Sequence, residues 1–120
     1  VSGVRDLLEP DAIFEKTDFS GCGCSEAMRA LEEMGRYQIL LAGIEAHVCM
    51  VQTALDLLAH EYQVHVPVET TSSRRPESCA VAIERMHAAG AIVTTLESAL
   101  FEMMERAGTP QFKEILKIIK

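Results

Sequence analysis

The sequence holds no unbroken apolar run long enough to cross a bilayer, since a spanning helix needs about 20 such residues. No leader pattern of basic start, apolar middle and small-residue end opens it. Basic residues are scarce: 11 Lys and Arg stand against 18 Asp and Glu, a formal charge of −7, and they form no stripe. A surface built to neutralise phosphates is therefore not expected, so neither a membrane nor a nucleic acid is an expected partner. Cysteines number four, at 22, 24, 49 and 79. A disulfide scaffold would suit a smaller, less hydrophobic secreted chain, so these are expected as free thiols in a reducing, cytoplasmic setting. His47, His60, His65 and His87 share no ligand spacing, and Cys22-Gly23-Cys24 lacks a second ligand pair. No metal and no cofactor is expected. Repeats, low-complexity tracts and linkers are missing too, so residues 1–120 are expected to be a single domain.

What is present reads as a folded α/β chain. Hydrophobic residues make up 48% of 120 positions, enough for one modest core. Short apolar runs at 12–15, 38–42, 63–68 and 91–94 read as strands, with Gln38–Ala42 the clearest buried one. Helical spacing separates them. Ser25 is expected to cap a helix carrying Ala27, Met28, Leu31 and Met34, with Gly35 as its stop. A second helix buries Val51, Ala54, Leu55 and Leu58. A third starts at Pro76, with Ala80, Ile83 and Met86 on one side. Thr94 and Glu97 match a capping box for a helix over 96–107, and Thr109-Pro110 opens a last helix with Phe112, Ile115, Leu116 and Ile119. The methionines sit at helical core spacing and read as packing. Strands alternating with helices predict βαβ units and a parallel sheet.

One segment carries chemistry. In QILLAGIEAHVCMVQTALDLL, Cys49 falls at or just inside a helix start, above the end of a strand. Open α/β sheets place their sites at such positions. A cysteine attacks only as its thiolate, and the helix start offers partial positive charge. Lys16 offers a full charge if the fold gathers the two together. On these residues alone Cys49 is either a nucleophile or a buried structural thiol. His47, two residues earlier, invites a Cys–His pair or is simply a pocket or loop residue.

The segments LLAGIEAHVCMVQTALDLL, FEKTDFS, TTSSRRPESCAVAIERMHAAGAIVTTLESALFEMM and TPQFKEILKIIK together resemble the isochorismatase-like cysteine hydrolases, nearest their isochorismatase domain-containing branch, from about Ile13 to Lys120. The resemblance implies a three-layer α/β/α sandwich around a parallel sheet. It also implies a catalytic Cys at Cys49 and a catalytic Lys at Lys16. The bond between Ile44 and Glu45 is implied to be cis, with the N–H groups of Glu45 and Cys49 facing an oxyanion. Phe19 and His47 are candidate pocket residues. The family's third catalytic group is an Asp on a first strand that has no counterpart here; Asp6 and Asp11 lie in the wrong context. Residues 1–120 are thus expected to be a partial domain lacking that strand. The implied activity is cleavage of an amide-like C–N bond in a small molecule. The alternatives are a non-catalytic binding or scaffold role and, more weakly, vinyl-ether hydrolysis of isochorismate. Assembly into homo-oligomers is expected from the family and from the Met-rich helix 96–107.

Overall fold

The computed structural model describes residues 2–119; Val1 and Lys120, the ends of the expected domain, lie outside them. In chain order the elements are α1 (Ser2–Arg5), α2 (Ser25–Met34), β1 (Gln38–Leu40), β2 (Gly43–Ile44), α3 (Val51–Ala59), β3 (Gln63–Pro67), β4 (Thr71–Ser72), α4 (Pro76–Ala88), β5 (Ile92–Thr94), α5 (Leu96–Met104) and α6 (Pro110–Ile118). Short 3₁₀ turns occupy Pro10–Ala12, Gly21–Gly23 and Val68–Thr70, and a π turn occupies Ala46–Met50.

Strands β1, β3 and β5 form a parallel sheet in that order, with Leu40 opposite His65 and Val66 opposite Val93. Parallel neighbours need crossover links, and α3 and α4 supply them. The Leu41 N–H bonds the His65 carbonyl at 2.8 Å; beyond it the chain forks away from β3. Its continuation, β2, pairs in parallel with β4, Gly43 opposite Thr71 and Ile44 opposite Ser72. This is an α/β fold, a parallel sheet flanked by helices on the plan of an α/β/α sandwich.

Alternation along β3 sets the layers. Val64 and Val66 are fully buried on one face, and His65 between them turns to the other. On the Val side sit Val51, Ala54 and Leu57 of α3 and Ala82 and Met86 of α4, closed by Ala46 and Ala91. The small alanines let both helices approach the strands closely, and Ala46 anchors the turn that joins β2 to α3 in this buried cluster. The other face is bordered by α5 and leaves a hollow of about 490 Å³ against Tyr37, Leu40, His65, Ala99 and Met103.

Several local expectations need correction. Residues 12–15 form no strand: a 3₁₀ turn ends at Ala12, and Ile13 runs extended without a ladder partner among the described residues. The strand expected over 38–42 splits at the fork and is not buried, with Leu40 46% exposed, because β1 pairs only with β3 among the described strands. Cys24, not Ser25, is the residue before α2, and it makes no side-chain cap. Ser25 instead donates to Glu26, and Met34 is exposed. On α3 the third buried residue is Leu57, and on α4 Ala82 replaces Ala80. The cap of α5 falls one residue late: the Thr95 hydroxyl accepts from the Ser98 N–H at 3.1 Å. That helix stops at Met104, where Glu105 takes φ +59°.

Candidate active site

The site is built where β2 runs into α3. The Ile44–Glu45 peptide bond is cis. Glu45 is extended, and the chain then winds into the π turn, with the Met50 N–H on the Glu45 carbonyl at 3.3 Å and the Val51 N–H on the Ala46 carbonyl. Ala46 and Met50 are buried and seat the turn in the core. Cys49 lies half-buried within the turn, two residues before Val51 opens α3, and so just inside the start of the continuous helical stretch.

Lys16 reaches this sulfur from 33 residues away. Its Nζ donates to the Asp18 carbonyl at 2.8 Å and the Phe19 carbonyl at 2.9 Å, and lies 3.9 Å from Cys49 Sγ. An ammonium has three N–H donors; two grip the loop and the third is left for the sulfur. The loop has its own internal ties. The Ser20 hydroxyl accepts from the Cys22 N–H at 3.2 Å, and the Gly21 N–H donates to Thr53 Oγ1 at 2.8 Å. At Gly23 an added Cβ would overlap the Asp18 side chain, 2.6 Å from its Cβ. The glycine is thus what lets Asp18, a carbonyl partner of Lys16, lie flat across the 3₁₀ turn.

His47 does not pair with Cys49. Its Nδ1 lies 2.9 Å from Ser73 Oγ and 3.5 Å from Glu45 Oε2. Both partners use the same ring nitrogen, so they do not form a relay through the imidazole. Glu45 Oε2 also lies 3.3 Å from Arg74 Nε. That oxygen is buried yet accepts no well-aligned hydrogen bond: the Arg74 guanidinium is near in charge terms, but its N–H bonds do not point at it. Arg74 itself is largely exposed, which weakens the pair. Phe19 contributes its carbonyl to Lys16. Its exposed side borders a hollow of about 490 Å³ with Thr17, Cys22, Gln52, Asp56 and His60. That hollow lies behind the lysine loop, and Cys49 does not line it. Burial pushes the Cys22 thiol up; a hydrogen bond from Ser20 opposes this and the Asp56 charge adds to it. Glu26, at the start of α2, is held below the usual carboxylate range by its own backbone N–H and by Cys24 and Ser25. Among the described residues no three His, Cys, Asp or Glu side chains are grouped to hold a metal.

Sequence reasoning missed Thr53 and the Ser73–His47 contact. The signal for Thr53 was its position four residues after Cys49 on a helix, where side chains share a face. Nothing local in the sequence points Ser73 toward His47, since β2 and β4 bring them together.

Residues 3–98 match the isochorismatase domain family. The chain is 47% identical to the secreted isochorismatase effector Isc1 of Phytophthora sojae, covering all of this chain and 59% of that protein. It is 45% identical to isochorismatase domain-containing protein 1 of Salmo salar, covering 96% of this chain and 41% of that one. Among solved structures it resembles the MAR1 ribonuclease of Caenorhabditis elegans, at 40% identity and a TM-score of 0.82, over 89% of this chain and 54% of that one. The chain therefore spans about half the length of the relatives it matches. Their names differ in activity, but the matched domain and the identities agree on one assignment: this chain belongs to the isochorismatase family.

Proposed function

We propose that this chain carries the nucleophile of a cysteine hydrolase that cleaves an amide-like C–N bond in a small molecule. The observation behind this reading is the Lys16 ammonium, clamped by two carbonyls and set 3.9 Å from Cys49 Sγ. A fixed ammonium beside a half-buried sulfur is an arrangement that an isolated structural cysteine does not need, and one that suits an attacking sulfur. In the reaction Sγ bonds to the carbonyl carbon, and the carbonyl π pair moves onto oxygen. Collapse expels the amine, which leaves carrying the proton that the thiol gave up. Water then adds to the thioester, releasing the carboxylic acid and restoring the thiol. The N–H groups of Glu45 and Cys49 are the proposed donors to the oxyanion. The Asp that serves as proton carrier in the family has no assigned counterpart in this sequence.

An isochorismate-like dianion fits less well. Two of the three Lys16 donors are already on backbone carbonyls, and Arg74 lies against Glu45. A nucleic-acid substrate is disfavoured by the charge of −7. The proposed setting is cytoplasmic, a reading supported by four free thiols; no described helix is long and apolar enough to cross a membrane. We also propose a homo-oligomer and one isochorismatase-like domain over the chain.

The test measures iodoacetamide labelling of Cys49 and Cys79 in native protein near neutral pH, beside turnover of small amides and of isochorismate. Cys49 is expected to label faster than Cys79, and its blockade to stop amide turnover. Labelling at the pace of an ordinary thiol, with turnover surviving blockade, would sink the Cys49 reading, and no turnover of either substrate would leave a non-catalytic binding role in its place.

A further inference from the structure

We infer that Thr53 is a positioning residue whose one hydroxyl ties the turn bearing Cys49 to the loop bearing Lys16; its importance rests on the hydrolase reading above. Thr53 stands one helical turn after Cys49, and its Oγ1 donates to the Cys49 carbonyl at 2.7 Å. Such back-bonding to the fourth preceding carbonyl is common in helices and is local. What is not local is the second bond. The same oxygen accepts the Gly21 N–H at 2.8 Å from 32 residues away. A hydroxyl has one proton and two lone pairs, so it serves both sides at once.

The links then run without a break. Lys16 Nζ is 2.9 Å from the Phe19 carbonyl, Gly21 follows two residues later and bonds Thr53 Oγ1 at 2.8 Å, and Thr53 bonds the Cys49 carbonyl at 2.7 Å. Each of these is shorter than the 3.9 Å between Lys16 Nζ and Cys49 Sγ. The lysine loop and the cysteine turn are thus joined by this tie as well as by the direct contact between Lys16 and Cys49. Steric fit reinforces the tie: a Cβ on Gly21 would stand 3.3 Å from Thr53 Cγ2, so the loop backbone rests directly on the threonine methyl. No neighbouring side chain offers Gly21 a substitute acceptor in the described contacts.

The experiment follows Cys49 and Cys79 labelling by iodoacetamide from mildly acid to alkaline pH in the full chain, read by mass spectrometry. Thr53→Val removes both bonds while keeping the branched shape; Thr53→Ser keeps the hydroxyl. For Thr53→Val the Cys49 rate near neutral pH is expected to fall by about tenfold, with the gap closing in alkali where thiolate forms unaided. Thr53→Ser is expected within about twofold of the parent, and Cys79 is expected to be unmoved throughout. A merely structural threonine would not shift the pH profile of one thiol and leave the other alone. An unchanged Cys49 profile in folded Thr53→Val, or a Thr53→Ser as slow as Thr53→Val, overturns the inference. If Thr53→Val does not fold, Gly21→Ala presses on the same contact from the loop side. A selective slowing of Cys49 supports the tie, and an unchanged profile overturns it. Should the parent Cys49 itself label like an ordinary thiol, indifferent to Lys16→Met, the hydrolase reading falls and takes the inference with it. That failure is visible in the parent and in Lys16→Met, before any Thr53 variant is compared.

Discussion

The two faces of the sheet are built differently. On one, Val64 and Val66 are wholly buried beneath α3 and α4, as is Met86 of α4 against them. On the other, Leu40 is 46% exposed, and a hollow opens between β1 and α5. Parallel sheets are ordinarily covered on both sides. The closed face is also the one that seats the turn bearing Cys49, through Ala46. Packing is thus spent where a reacting atom needs a fixed position, while the open face carries apolar surface but none of the contacts that hold Lys16 and Cys49. Site geometry and the stability of the closed face are expected to fail together, and changes to the open face to leave both standing.

The strongest way to sharpen that contrast is chemical. Cys49→Ala is expected to lower amide turnover by roughly 10³-fold or more, as nucleophile removal commonly does, with no comparable loss of fold. Turnover within about tenfold of the parent would detach the closed face from function. Next comes stability. Met86→Ala is expected to cost about 2–5 kcal/mol, the usual range for a fully buried methionine. Leu40→Ala on the open face is expected to cost about 1 kcal/mol or less. Urea denaturation of both variants measures the difference, and equal losses would mean that Leu40 is covered in solution.

Smaller in energy is the contrast among thiols. Near neutral pH Cys49 is expected to label faster than Cys22, whose thiol burial pushes up, so that Cys22 holds less thiolate and gains ground as pH rises. Lys16→Met is expected to slow Cys49 by about tenfold without touching Cys22. A Cys22 that labels first would reverse the assignment of roles. The smallest effect concerns assembly. Met103 is 73% exposed and Ile118 75% exposed, on α5 and α6. Met103→Glu is expected to shift sedimentation toward the monomer with little change in Cys49 labelling, and a parent already monomeric at micromolar concentration would remove the basis for an oligomer.

The closed face was legible in the sequence because periodicity reports burial. Valines in β3 and small residues in α3 read correctly, and so did Pro76 and Thr109-Pro110 as helix starts. The open face was not legible. Gln38–Ala42 looks buried because its residues are apolar, but exposure depends on which neighbours are present, and among the described strands β1 pairs with β3 alone. Residues 12–15 failed similarly: apolar side chains propose a strand, and only a partner makes one. The cap of α5 was missed by one residue because Thr94 has a near-equivalent neighbour in Thr95, and backbone angles decide between them; α2 begins at Ser25 itself, and Cys24 before it makes no side-chain cap. At the site, Cys49 and Lys16 stood out on the quoted segments, whereas the Thr53 tie needs Gly21 to arrive from elsewhere.

The π turn makes the chemistry sensitive to length as well as to residue type. Between Glu45 and Val51 the bonds skip five residues instead of four, so this stretch of helix carries one residue more than an α-helical count. Deleting one residue from positions 46–48 would let the turn relax into an ordinary α-helix, each five-residue bond becoming a four-residue one. Glu45 and the β2 strand would keep their phase relative to α3, because the wide turn fits an extra residue into nearly the same rotation. What would be lost is the widened backbone in which Cys49 sits. A one-codon deletion here is therefore a change of calibre: it leaves composition and the apolar stripe almost untouched and draws the coil around the sulfur tighter.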